Sequence, residues 1–360
     1  MEVQGSVQAS YEPVRDAFSQ IVTEQPGTGA AVAIWHAGDY VVDLWGGWAD
    51  AARTRPWQRD SIAQPYSVAK PFAAICVLLL VERGLLSLDD SARVHWPELT
   101  ADATVRDLLS HQAGLVALDD PAPTEVFYDW DGLCALLARQ TPSWPPGTAH
   151  GESALFYGHP LGELVRRIDG RSLGRFLHEE VCGPLGLDFA IGLPPSEHGR
   201  VVELTGFEEA FGPTMSAGRP ALFDRALRNP PGALEAAVVN GPDWRRAEIP
   251  AVNGHGTARA VAGFYAALSG GAILPTTLLT AATSVVASGT DQVLGDESAW
   301  GLGFAVDEDG YGMGGIGGHL GWWSREGEYA LGYVTGSLGN YGAVDAVETA
   351  FRECLGLPPL

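Results

Sequence analysis

Apolar positions along the chain follow two periods and one continuous run. Over residues 11–24, Val14, Ala17, Phe18, Ile21 and Val22 return at helical spacing, which predicts an amphipathic helix. Residues 30–35 and 40–46 are apolar runs on either side of His36-Ala37-Gly38-Asp39, which predicts a β-hairpin. Residues 70–83 are apolar on every face and stop at Gly84. That pattern predicts a central helix buried all round, with the glycine as its C-cap.

Segments 104–110, 130–139, 154–168, 172–181 and 257–269 read as helices. Pro/Gly turns such as Pro145-Pro146-Gly147 separate them. Residues 300–306, 318–323 and 329–335 read as strands, and 342–354 as a last helix. With strands at both ends and helices between, the expected fold is α/β (α+β). One mostly antiparallel sheet draws on both ends of the chain, and the middle forms a helical lobe. At 360 residues two parts are expected. Residues 1–60 and 255–360 form the sheet-containing part and 61–254 the helical part, with the site in the cleft between.

Composition narrows the class of function. Hydrophobic residues are 46% and charged ones 18%, a globular balance. The net charge of -22 repels phosphate and anionic lipid, which argues against nucleic acid and membrane surfaces as partners. A neutral or cationic small molecule fits better. The N-terminal ten residues have no basic segment and no apolar run, so no secretory signal is expected. Cys76, Cys134, Cys182 and Cys354 are widely spaced without a CxxC. Reduced thiols, a cytoplasmic location, no metal and no cofactor are expected.

Of the 22 Lys+Arg residues only Lys70 is a lysine. Arginine stays charged in a protein, whereas a desolvated lysine can give up its proton. Lys70 closes Tyr66-Ser67-Val68-Ala69-Lys70 at the mouth of the apolar helix. Pro71 has no N–H and belongs to a first helical turn, so the helix should begin near Ser67. Ser67 then lies where free N–H groups favour negative charge, and Lys70 is on its face, three residues on. A hydroxyl needs a neighbouring base to become a nucleophile. Ser67 is therefore the candidate nucleophile and Lys70 its activating neighbour.

These residues, with Leu80-Val81-Glu82-Arg83-Gly84-Leu85-Leu86-Ser87-Leu88-Asp89-Asp90, resemble the class C β-lactamase family and its esterase branch, the family VIII carboxylesterases. Thr104-Val105-Arg106-Asp107-Leu108-Leu109-Ser110-His111-Gln112-Ala113-Gly114-Leu115, Pro184-Leu185-Gly186-Leu187 and Asn253-Gly254-His255-Gly256-Thr257-Ala258-Arg259 extend the resemblance over nearly the whole chain. It implies an antiparallel sheet flanked by helices, a helical lobe, and an acyl-Ser67 intermediate. It also implies an oxyanion hole from the backbone N–H groups of Ser67 and Ile316.

Two departures stand out. The family's second motif places a tyrosine six residues after the start of a Pro-Gly-Thr turn. Here the turn is Pro146-Gly147-Thr148 and the sixth residue is Glu152. Beside Lys70 a carboxylate would hold the ammonium protonated and could itself take the proton from Ser67. Tyr157 lies five residues further on and should face elsewhere. The third motif normally carries a lysine or histidine, and here reads Met313-Gly314-Gly315. Without that cation, efficient β-lactamase action is not expected. His319-Leu320-Gly321 imitates the esterase pattern six residues late. Candidate substrate-binding residues are Tyr66, His150, Met313, Gly315, His319 and Trp322, with His159 a further histidine near Glu152.

The function expected is acyl transfer from a small-molecule ester or amide, to water or to an amine or alcohol acceptor. The many tryptophans suggest an apolar or aromatic acyl group. A catalytically altered or non-catalytic binding protein on the same fold is the alternative.

Overall fold

The computed structural model describes residues 2–24 and 27–359. Residues 1, 25, 26 and 360, which belong to the expected ranges 1–60 and 255–360, lie outside the described residues. The first helix, α1 (Glu12–Glu24), buries Val14, Phe18, Ile21 and Val22, the stripe its spacing predicts.

Nine strands form one antiparallel sheet. They are β1 (Gln4–Val7), β2 (Ala30–His36), β3 (Asp39–Gly46), β4 (Ala287–Thr290), β5 (Glu297–Trp300), β6 (Ala305–Val306), β7 (Gly310–Gly315), β8 (His319–Ser324) and β9 (Tyr329–Thr335). Their order is β1-β3-β2-β9-β8-β7-β6-β5-β4. The ends of the chain meet where β9 pairs with β2, Tyr329 opposite His36 and Thr335 opposite Ala30. The expected strand at 300–306 is two short strands, interrupted where Gly303 takes φ +96°. The sequence pattern did not show β1 and β4, because each has only four residues and a weak alternation.

The two faces of the sheet differ in residue size. Val32, Ile34, Leu331 and Tyr333 point toward α1 and the C-terminal helix α5 (Gly342–Cys354). The other face carries Ala31, Ala33, Gly321 and Gly332, and against it lies α4 (Ala258–Ser269). A Cβ at Gly332 would sit 2.3 Å from the Ala258 carbonyl oxygen, so only glycine lets the helix approach that closely.

Beyond α4 lies α2 (Lys70–Glu82). Every residue from Lys70 to Leu80 is buried. Its all-round apolar character has a direct cause: α3 (Gly158–Asp169) packs on it, and Phe72 stacks between Phe189 and Phe264, with centroids 3.8 and 3.9 Å away. Each such side chain, fully buried, contributes about 1.5–3 kcal/mol. The first turn of α2 is thereby held rigidly in the molecule, which matters for the residues it carries.

Candidate active site

The chain enters α2 through a 3₁₀ turn, Tyr66–Ala69, and Pro71 occupies the first turn of the α-helix. The sequence reading placed the helix start near Ser67; the start is there, with tighter winding. In a 3₁₀ turn the side chains at i and i+3 eclipse. Ser67 and Lys70 are so related, and Lys70 Nζ lies 2.6 Å from Ser67 Oγ. Tyr66, just before, has φ +45°, a left-handed conformation that is rare for a bulky residue. Burial and the hydrogen bond its hydroxyl donates to the Ala233 carbonyl, at 3.1 Å, hold it there.

Glu152 arrives from a different loop. Its Oε1 is 3.2 Å from Ser67 Oγ and 2.9 Å from Lys70 Nζ. Lys70 Nζ also donates to the carbonyls of Ala154, at 3.1 Å, and Ala251, at 3.4 Å. Burial pulls Lys70 below the ordinary lysine value, and the Glu152 carboxylate opposes that pull. The net direction is down, so of the two opposing influences expected from the sequence, desolvation outweighs the carboxylate.

The loop carrying Glu152 is pinned at three successive amides. Gly151 N–H donates to the His111 carbonyl, Glu152 N–H to the Asp291 carboxylate at 2.9 Å, and Ser153 N–H to His111 Nδ1 at 3.0 Å. Because Nδ1 accepts, His111 is neutral, and burial holds its pKa well below the ordinary histidine value. Its ring stacks on Tyr157 at 4.5 Å. The Tyr157 hydroxyl donates to the Leu109 carbonyl, away from Ser67, as its spacing predicts. Asp291 is fully buried and accepts from Val293 and Leu294 N–H as well. Burial pushes its carboxyl up, against the pull of those amides. Asp291 is a residue that the sequence analysis does not single out. The one available signal was local: an aspartate whose side chain can cap the amides two and three residues on.

Ser67 and Glu152 open into a pocket of about 490 Å³. Tyr66, Gly315, Ile316 and His319 line it, as expected. A Cβ at Gly315 would sit 2.1 Å from the Pro65 carbonyl oxygen, so β7 passes directly against the turn that carries the serine. His319 Nδ1 accepts from Thr335 N–H at 3.3 Å, and burial pushes the ring down to about 3, so it is neutral.

Three candidates do not line this pocket. His150 turns back to Ser298 Oγ, 3.0 Å from its Nε2. Trp322 points to the opposite face of the sheet, lying over Gly310 and Gly312, because alternation in β8 puts His319 and Gly321 on the site side. Met313 is buried in β7 opposite Gly321, one step short of Gly315. His159 is buried against Trp130. None of the eleven tryptophans lines the pocket. Its apolar wall comes instead from Met215, Phe223, Leu227, Leu234, Val252 and Leu294. Most of these belong to a stretch where the sequence pattern gave no element. Arg219 also lines it, with one nitrogen on the Leu294 carbonyl and the Asp296 carboxylate. Among the described residues no group of acidic, histidine and cysteine side chains could hold a metal, and all four cysteines are free thiols. No helix among them is long and apolar enough to cross a membrane.

Residues 14–351 match the family model described as Beta-lactamase. The esterase/beta-lactamase LipL of Mycobacterium tuberculosis (strain ATCC 25618 / H37Rv) is 31% identical over 282 residues, which cover 74% of this chain and 64% of LipL. The match thus spans just under two thirds of that relative. A crystal structure of a family VIII carboxylesterase superposes with a TM-score of 0.88 at 35% identity, covering 98% of this chain and 100% of that one. A penicillin-binding protein homolog from Caulobacter crescentus gives 0.86 at 32%, covering 97% and 100%. The chain belongs to the beta-lactamase family of serine hydrolases, whose members include esterases.

Proposed function

We propose that this protein is a serine acyl-transfer enzyme that forms an acyl-Ser67 intermediate on a small ester or amide. One observation carries the reading. Ser67 Oγ lies between Lys70 Nζ, at 2.6 Å, and Glu152 Oε1, at 3.2 Å, on the wall of an apolar pocket.

Donor counting assigns the roles. Lys70 Nζ faces Ser67 Oγ, Glu152 Oε1 and the Ala154 carbonyl within 3.1 Å and the Ala251 carbonyl at 3.4 Å, an all-acceptor surrounding that suits the three N–H bonds of an ammonium. The Ser67 hydroxyl proton is then directed at Glu152. Glu152 is the general base in place of the family's tyrosine, and the Lys70 ammonium stabilises the developing alkoxide. Ser67 Oγ attacks the carbonyl carbon as its proton passes to Glu152. The N–H groups of Ser67 and Ile316 receive the oxyanion. The protonated Glu152 then returns the proton to the leaving alkoxide or amine. Water, or an amine or alcohol, repeats the sequence in reverse on the acyl-enzyme.

The substrate is a small ester or amide with an apolar acyl group. A pocket of about 490 Å³ walled by Phe223, Leu227 and Leu234 suits an aliphatic or single-ring acid. With Met313 at the third motif, no cation on that strand attracts a substrate carboxylate. Intact-mass spectrometry after treatment with a fluorophosphonate tests the core of the proposal. One adduct, on Ser67, is expected. No adduct, or one elsewhere, would promote the binding-protein reading.

A further inference from the structure

Three backbone amides from two loops converge on the carboxylate of Asp291, which is fully buried and, among the described residues, has no cationic partner. Its two oxygens divide two tasks unevenly, and the Glu152 N–H, 2.9 Å from Oδ2, also lies 3.2 Å from Oδ1. Oδ1 accepts from Val293 N–H at 2.9 Å and Leu294 N–H at 2.8 Å, capping its own loop. Oδ2 reaches across to Glu152 N–H at 2.9 Å and receives the Ser298 hydroxyl at 3.4 Å. An asparagine would serve the first task equally well. Only a carboxylate serves both fully, because an asparagine would turn its NH₂ donors on the Glu152 N–H at the shorter contact and leave it the longer one alone. A buried carboxylate without a counter-ion is costly to keep, so its second oxygen points to a use beyond the loop.

We propose that Asp291 is a positioning residue that fixes the base and the acyl wall in one frame. Holding the amide of Glu152 sets the Glu152 carboxylate against Ser67. Holding the amide of Leu294 sets that side chain, which lines the pocket, at a constant distance from the base. The proposal rests on Glu152 being the general base.

A double-mutant cycle tests it, with p-nitrophenyl butyrate as the probe substrate. Asp291→Asn should lower kcat about 10- to 100-fold with KM changed less than about threefold, since a small misplacement of a reacting group has costs of that size. In a Glu152→Gln background the same change should cost less than about threefold, because a side chain that takes no proton gains little from being positioned. A loss of folding alone would lower melting temperature and leave this difference at zero. Equal losses in the two backgrounds, or wild-type kcat in Asp291→Asn, overturn the proposal while the base reading stands. Wild-type kcat in Glu152→Gln alone overturns the base reading, and the positioning role with it. Should Asp291→Asn fail to fold, Ser298→Ala withdraws the hydroxyl from Oδ2 and from His150 Nε2 while leaving the three amides on Asp291. A several-fold loss of kcat confined to the Glu152 background is then expected, and any other result counts against the proposal.

Discussion

A cluster of buried charge at the start of α2 and another under α5 use different cations. At α2, Lys70 contacts Glu152 and Ser67 beside a pocket. Under α5, Arg352 binds Asp309 at 3.2 Å, Glu326 at 2.9 Å and the Pro358 carbonyl at 2.7 Å, next to Glu348 and Tyr329. The arginine fork satisfies three acceptors in fixed directions and its pKa is raised further by its partners, so that cluster is a permanent tie between the last helix and the sheet. The lysine is pulled the other way by burial. Its charge is compact, buried, and shared between Ser67 and Glu152, which line the pocket. The difference matches the composition: arginine serves the structural cluster, and the chain's one lysine stands between Ser67 and Glu152, where the proposed mechanism moves a proton.

The largest expected effect is at the nucleophile. Ser67→Ala should leave the fold intact and reduce acyl transfer to background, measured as ester turnover by pure protein. Retention of more than a few per cent would remove Ser67 from its role. Exchanging the cations breaks the comparison directly. Lys70→Arg should be nearly as damaging as Lys70→Ala, toward the upper end of the about 10²–10⁴-fold range typical of proton-transfer assistance. The broader guanidinium has no room among Ser67, Glu152 and the Ala154 carbonyl. The reverse exchange, Arg352→Lys, should leave kcat unchanged and lower stability by about 1–3 kcal/mol in denaturant titration, since one ammonium cannot span all three acceptors. Parallel losses of activity in both exchanges would erase the distinction.

Glu152→Gln keeps the shape and removes the base, so kcat should fall about 10²–10⁴-fold with little change in melting temperature. Glu348 sharpens the contrast from the structural side. Burial pushes its carboxyl up to about 7 from an ordinary 4.5. Between those values the folded chain keeps a proton that the unfolded chain has released. The contribution of Glu348 to stability is therefore fully present below the lower value and is lost as pH rises through about 7, on the order of 3 kcal/mol in all. Melting temperatures of wild type and Glu348→Gln from about pH 4 to pH 8 should differ in slope, the variant being flatter; parallel curves would refute this. The smallest signal is expected with a chromogenic β-lactam, whose carboxylate finds no cation on β7. Rapid turnover would show that another group, Arg219 foremost, supplies the charge.

Some of the site was legible without coordinates. Ser67 and Lys70 are three residues apart on a turn that Pro71 anchors, so their contact is local and follows from helical geometry. Glu152 was located by counting from the Pro146-Gly147-Thr148 turn, and it does reach both. His150 shows the limit of that counting: two residues from Glu152, it faces the other side of the loop, toward Ser298.

The sequence by itself determined what depends on near neighbours and on the period of apolar residues: α1, the hairpin of β2 and β3, the buried α2 and the serine–lysine pair. Tertiary structure alone decided what depends on distant segments meeting. Asp291 reaches Glu152 across 139 positions of chain, and its local sequence signals only the cap on its own loop. The register of β8 against β7 sends His319 to the pocket and Trp322 away from it. Phe223, Leu227 and Leu234 become a wall of the pocket only because the sheet stands opposite, since an apolar side chain carries no mark of which surface it will cover.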